Sequence, residues 1–113
     1  MTVIKGVVRE GKKKATSLGF PTANMSLNSD IDPGVYAGEV EVEGVIYKTA
    51  IFIPKGSKVL EAHIIGFTGT LYGVEITVFL NSKIRDLIIY DGESKMSERI
   101  AEDVKKVKSI YGI

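Results

Sequence analysis

VYAGEVEVEGVIYKTAIFI, residues 35 to 53, is the stretch that decides the fold. Val40 and Val42 fall on one side of an extended chain while Glu39, Glu41 and Glu43 fall on the other, which is the pattern of a strand with one dry and one wet face. Glu43-Gly44 separates the two halves of the stretch, and glycine accepts positive φ, so the segment predicts a β-hairpin closed by a tight turn.

On the N-terminal side, VIKGVV (3–8) reads as a strand, REGKKKATS (9–17) as a polar loop, LGFPTAN (18–24) as a separate element and SLNSDIDPG (26–34) as a turn-rich connection. On the C-terminal side, Pro54 to Lys58 is a break, VLEAHIIGF (59–67) is a further strand, and TGT leads into LYGVEITVFLN (71–81). IRDLIIY (84–90) is either a strand or a short bridging element. After DGES the period changes. Met96, Ile100, Val104, Val107, Ile110 and Tyr111 recur at helical spacing with charge on the other face, Ser94 is placed to cap the helix, and Lys105, Lys106 and Lys108 suit its C-terminal dipole. About six strands joined by sequential hairpins, with one terminal helix, predict a mostly β protein: a small antiparallel barrel with a helix packed against it.

At 113 residues the chain is read as a single domain, 1–113, long enough to bury a core without staples. With no cysteine, disulfides and thiolate metal sites are excluded. The N-terminus MTVIKGVV lacks the apolar stretch and cleavage site of a signal peptide, so a cytoplasmic protein with no membrane association is expected. Fifteen basic against fourteen acidic residues give a net charge of +1, so no global field points to nucleic acid or an anionic membrane, and any anion binding must be local. Neither a P-loop nor a dinucleotide glycine fingerprint occurs, and there is no kinase catalytic-loop pattern.

Several groups of residues carry possible chemistry. In LGFPTAN, Pro21 fixes the backbone direction, and an extended chain would set the Thr22 hydroxyl and the Asn24 amide side by side, either to hold a hydrated cation or phosphate or to satisfy nearby backbone groups. Arg9 to Lys14 places four basic residues around Gly11, either a solvated loop tip or a grip on phosphate oxygens that leads straight into Thr22 and Asn24. In VLEAHIIGF, Glu61, His63, Ile65 and Phe67 share a face, so Glu61 is either a partly desolvated general base or a strand-end carboxylate with its head in water. The lone His63 reads as structural, since neither Cys nor clustered carboxylates accompany it. Tyr72, Arg85 and Tyr90 either meet a planar ring or a phosphate or belong to strand-face packing.

The ordered series of a glycine followed by LGFPTAN, then PGVYAGEV, LEAHII, LYG, IR with an aromatic five residues on, and a helix containing IAEDV resembles the riboflavin kinase family. This family occurs alone in eukaryotes and as the C-terminal domain of bacterial bifunctional riboflavin kinase/FAD synthetases. The resemblance implies a six-stranded antiparallel Greek-key β-barrel with a C-terminal α-helix. It also implies transfer of the γ-phosphoryl group of ATP, or another nucleoside triphosphate, to the ribityl hydroxyl of riboflavin, giving FMN, with Mg²⁺ or another divalent cation. By position, Thr22 and Asn24 would bind the metal and nucleotide phosphate, Gly11, Lys12 and Thr16 would belong to the flap over the phosphates, and Glu61 would be the catalytic base. Ile64, Gly66 and Tyr72 fall where the family contacts the nucleotide, and Arg85, Ile88 and Tyr90 where it contacts the flavin. The chain differs from the family pattern in a flap with one glycine and three lysines, a shortened FIPKGSK stretch before the Glu61 strand, and Thr70 before LYG. Small-molecule substrates and a monomer are expected. The rival readings are a non-catalytic barrel that binds flavin or nucleotide and a nucleic-acid-binding barrel, the latter opposed by the near-neutral charge.

Overall fold

The structure is a computed structural model that describes residues 2–9, 22–28, 30–56, 58–67, 71–87 and 93–113. The predicted hairpin is its centre. β3 (Gly34–Val42) pairs β4 (Val45–Ile53) from Gly34↔Ile53 to Val42↔Val45. Glu43 and Gly44 have φ of 50° and 84°, and positive φ at both central residues gives the backbone twist that matches two right-twisted strands.

Around the hairpin lie β1 (Thr2–Val7), β2 (Ala23–Ser26), β5 (Val59–Ile64) and β6 (Glu75–Arg85), in the spatial order β1-β6-β3-β4-β5-β2, every pair antiparallel. β3, β4 and β5 are neighbours in sequence and in space, but β6 returns to lie beside β3, which makes β3 to β6 a Greek key. The expected sequential hairpins thus hold for β3–β4 and β4–β5 and fail elsewhere, because β6 and β2 bury their apolar faces only by crossing to the two sides of that meander. The two edges nearly close the sheet: just past β1, Arg9 bridges Asn24, its N–H donating to the Asn24 carbonyl at 2.7 Å.

β6 is one strand of eleven residues that continues through Asn81 into Ile84 and Arg85, where the sequence separates LYGVEITVFLN from IRDLIIY; residues 88–90 of the latter lie outside the described residues. The polar run Asn81-Ser82-Lys83 looked like a break but lies exposed within the strand. Register shifts against β3 between Val35 and Tyr36 and between Ala37 and Gly38 leave Ile84 and Asn81 without a ladder partner, and both turn to the helix side. At the second shift the backbones approach closely: a Cβ on Gly38 would collide with the Phe79 carbonyl and the Ile51 side chain.

The interior is filled by Ile4, Met25, Val40, Ile51, Leu60, Ile76 and Val78, with Phe67 edge-on to Tyr47 at 5.6 Å. On the outer face, Ala37 and Ala50 oppose each other and form a flat seat for Val107 of α1 (Glu93–Tyr111), flanked by Ile65, Ile84 and Tyr111. Asp103, Val107 and Tyr111, at i, i+4 and i+8, face the sheet. Two details of the helix differ from expectation. Ile110 is 46% exposed, because the turn that seats Val107 and Tyr111 points it away. The helix also begins at Glu93, so Ser94 lies inside the first turn and does not precede it.

Candidate active site

β5 alternates cleanly: Leu60, Ala62 and Ile64 are buried inward, so Glu61 and His63 point out of the barrel. The strand ends at Ile64, and a turn through Gly66 (φ 84°) sends Ile65 to the helix-side cluster and Phe67 to the interior. The expected shared outer face therefore holds for Glu61, His63 and Ile65 but not for Phe67.

β2 obeys the same rule. Ala23 and Met25 join the core, so Asn24 and Ser26 face outward with Glu61. The register places Asn24 directly opposite Glu61, Glu61 opposite Phe52, Phe52 opposite Val35, and Val35 opposite Arg85. Directly opposed residues share a face with Cβ atoms about 5 Å apart. One row thus crosses five strands on the outside of the barrel in the order amide, carboxylate, aromatic, aliphatic, guanidinium. At about 4.8 Å per strand it spans about 19 Å.

Each end of the row is anchored. Asn24 is only 4% exposed, its carbonyl takes the Arg9 N–H, and its Nδ2 reaches the Thr22 carbonyl at a long 3.5 Å. The Arg9 guanidinium lies along β2 and donates to Ser26 Oγ at 3.0 Å. Residues 10 to 21, the lysine-rich run included, leave from Arg9 and return at Thr22, so both flanks of that run stand beside Asn24. At the other end, Arg85 donates from Nε to Asp103 Oδ1 at 2.7 Å and from NH2 to Oδ2 at 2.8 Å. This two-pronged pair is largely buried and ties β6 to the helix.

The remaining expected residues fall as follows. Ile64 is buried in the core, so only its backbone faces outward, and Gly66 occupies the exposed turn after it. Tyr72 is 48% exposed on a turn tied to the end of β1: Val8 donates to the Val74 carbonyl and Gly73 to the Val8 carbonyl, both at 2.9 Å. Gly11, Lys12, Thr16, Ile88 and Tyr90 lie outside the described residues. A cavity of about 490 Å³ opens past the opposite end of β2 from Thr22, lined by Leu27, Asp30, Ile31, Pro33, Ile53 and Lys58 among others, and none of the expected site residues lines it.

An amide and a carboxylate fixed on paired strands, with a basic segment entering and leaving beside them, suit a reaction in which a hydroxyl loses a proton while phosphate charge is held. The riboflavin kinase family model matches residues 1–111. The chain belongs to the riboflavin kinase family.

Its curated relatives include the bifunctional riboflavin kinase/FMN adenylyltransferase of Buchnera aphidicola subsp. Schizaphis graminum, 33% identical over 121 residues that cover 97% of this chain and 39% of the relative. The Bacillus subtilis protein of the same description is 32% identical, covering 88% of this chain and 35% of the relative. The chain thus spans about two fifths of the length of these relatives. Among solved structures, riboflavin kinase from Trypanosoma brucei superposes with a TM-score of 0.72 at 22% identity, covering 96% of this chain and 75% of that one. A Streptococcus pneumoniae chain described as a macrolide-efflux protein superposes with a TM-score of 0.84 at 23% identity, covering 94% of this chain and 38% of its own. Both share the fold.

Two residues of the row, Phe52 and Val35, and the helix residue Asp103 that anchors Arg85 were not singled out from sequence. Phe52 has a traceable signal, since the Glu43-Gly44 turn fixes the β3–β4 register and hence its face. Asp103 has a weaker one, the i, i+4 spacing to Val107.

Proposed function

We propose that this chain phosphorylates riboflavin to FMN, taking the γ-phosphoryl group of a nucleoside triphosphate, with ATP the expected donor. The observation that carries the proposal is the direct opposition of Asn24 and Glu61 on one outward face, with the flanks of the lysine-rich run held beside Asn24.

Phosphoryl transfer asks little covalent chemistry of a protein and depends on positioning and charge stabilisation. The Glu61 carboxylate accepts the proton of the ribityl hydroxyl as that oxygen attacks the γ-phosphorus in line, and the bond to the leaving diphosphate breaks. Lys12, Lys13 and Lys14 lower the cost of charge on the phosphate oxygens, acting as point charges and not as a fork. Thr22 and Asn24 fix the nucleotide phosphates relative to Glu61.

A divalent cation fits this donor set. Among the described residues there is no cluster of three or more His, Cys, Asp or Glu side chains, which disfavours an all-protein cage. Mg²⁺ instead keeps waters and substrate phosphates and takes a few hard oxygens, which the Thr22 hydroxyl and the Asn24 amide oxygen would supply, leaving Glu61 as the base. When bound, the cation would neutralise phosphate charge. No helix among the described residues is long and apolar enough to cross a membrane. We take the chain as one domain acting as a cytoplasmic monomer on small molecules.

The test is incubation of the purified chain with riboflavin, Mg²⁺ and each triphosphate in turn, with FMN separated by chromatography. FMN formation that requires both triphosphate and metal is expected. Riboflavin binding without FMN from any triphosphate would make the chain a binding barrel.

A further inference from the structure

We propose that Phe52 is the platform on which the flavin ring rests beside Glu61, an assignment that builds on the riboflavin kinase reading and adds a positioning residue to it. Phe52 points outward from β4, directly between Glu61 and Val35 in the row. It is half-buried and belongs to neither apolar cluster, although aromatic side chains of the interior, such as Tyr47 and Phe67, pack against the core. An outward aromatic beside a carboxylate adds nothing to either cluster, and its flat face is suited to another flat apolar group.

The order of the row matches the acceptor. Riboflavin has a hydroxylated tail at one end and a planar, mostly apolar ring at the other. With the reacting hydroxyl at Glu61, the next position along the row is Phe52, one strand of about 4.8 Å away, and Val35 follows at the same spacing. Of these two, Val35 is only 3% exposed, so the half-buried Phe52 is the apolar side chain that offers surface where the ring must go, and the Arg85–Asp103 pair closes the far end. The nucleotide would leave in the other direction. Gly66 and Tyr72 lie beyond the His63 end of β5 or beside the end of β1, so a base stacked there is remote from Phe52.

The experiment compares the wild type with Phe52→Leu, which keeps apolar bulk but loses the ring, and Phe52→Tyr, which restores a ring. Riboflavin binding is followed by quenching of flavin fluorescence, and KM is measured for both substrates. Phe52→Leu should raise the riboflavin KM and Kd about three- to tenfold and weaken the quenching, with a smaller effect on kcat, since aromatic pairing contributes mainly to ground-state binding. The KM for the triphosphate should not move, and Phe52→Tyr should return riboflavin binding to within about twofold of wild type. A Phe52→Leu enzyme with wild-type riboflavin KM overturns the platform and leaves the kinase reading standing. A rise in triphosphate KM alone makes Phe52 a base-stacking residue, and equal losses in both constants with a lowered unfolding midpoint make it structural; each also overturns the proposal. A wild type that neither binds riboflavin nor forms FMN removes the kinase reading and the platform together.

Discussion

The outer face of the barrel is treated in two ways. Over the middle of β3 and β4 it is closed: Ala37 and Ala50 leave room for the helix, Val107 fills the seat, and Arg85, Lys48 and Tyr111 join helix and sheet through a buried ion pair and a cation–π contact of 4.5 Å. Over β5 and β2 the same face carries Glu61, Asn24 and Ser26 beside Arg9, with no apolar cluster on it among the described residues. The strands differ accordingly. β3 and β4 run nine residues each, whereas β2 has four and is held, among the described residues, by β5 and the Arg9 bridge. A long ladder plus a helix supplies stability in one half, which allows a short edge strand in the other to be chosen for chemistry.

The sharpest way to break this contrast is at Glu61. Glu61→Gln keeps the shape and removes the base, so kcat should fall by about two to four orders of magnitude while riboflavin and nucleotide binding and the unfolding midpoint persist. An active enzyme whose Glu61→Gln variant keeps kcat within about threefold would remove Glu61 from the chemistry. The reverse outcome is expected on the covered half. Asp103→Ala removes the bidentate carboxylate from the Arg85 guanidinium, whose side chain is 14% exposed, and should cost about 3 kcal/mol in urea unfolding, because deleting one side of a buried ion pair is costlier than replacing both. The double change Arg85→Met with Asp103→Leu should recover most of that loss. If Asp103→Ala left stability unchanged and abolished only flavin binding, Arg85 would belong to the open half of the face.

Much of this division is legible in the sequence, for physical reasons that differ by element. The hairpin at 35–53 was readable because alternation and turn chemistry are local, and both act within a few residues. The pairing of Asn24 with Glu61 was not, because β2 and β5 are far apart in sequence and nothing in ANMS or VLEAHI encodes which strand lies beside which. The family resemblance supplied their association, and the ladder supplies its geometry. β6 was split in two because bulges interrupt a period-2 pattern just where polar residues make it look like a loop. Asp103 was hidden for the opposite reason: a charge normally marks the wet face of a helix, and here a buried arginine opposite reverses the rule.

The turn that pins the closed half gives a smaller and more local effect. Gly44→Ala meets no neighbouring atom, so its cost is backbone strain alone, about 1 kcal/mol, read as a lowered urea midpoint with an unchanged slope. Glu43 also holds positive φ, and Glu43→Asn should raise the midpoint by a smaller amount, since asparagine tolerates that region better. Neither change should alter turnover, because the hairpin tip is remote from Asn24 and Glu61 along both strands. A drop in kcat for either variant would show that the closed half transmits strain to the open one.

The least effect is expected one step past Arg85, where the same strand offers a second ion pair for comparison. Lys83 Nζ and Asp86 Oδ1 are 2.6 Å apart, as short as any ion pair among the described residues, yet Asp86 is 87% exposed. The hydrogen bond from Lys83 holds the Asp86 carboxyl below its ordinary value, and the same hydrogen bond raises Lys83 above its own. For the carboxyl, the stabilisation is present above its unfolded value and is lost as pH falls through the lowered folded one; for the lysine, it is complete below the unfolded value and lost as pH rises through the raised one. Between those limits the pair's contribution is flat, and water and salt screen it. Asp86→Asn should therefore shift the urea midpoint at neutral pH by less than Gly44→Ala does, with the difference from wild type vanishing in strong acid and in molar salt. The distance alone would rank this pair equal to Arg85–Asp103. An Asp86→Asn loss as large as that of Asp103→Ala would mean that contact geometry, and not burial under the helix, sets which polar pairs hold the closed half together.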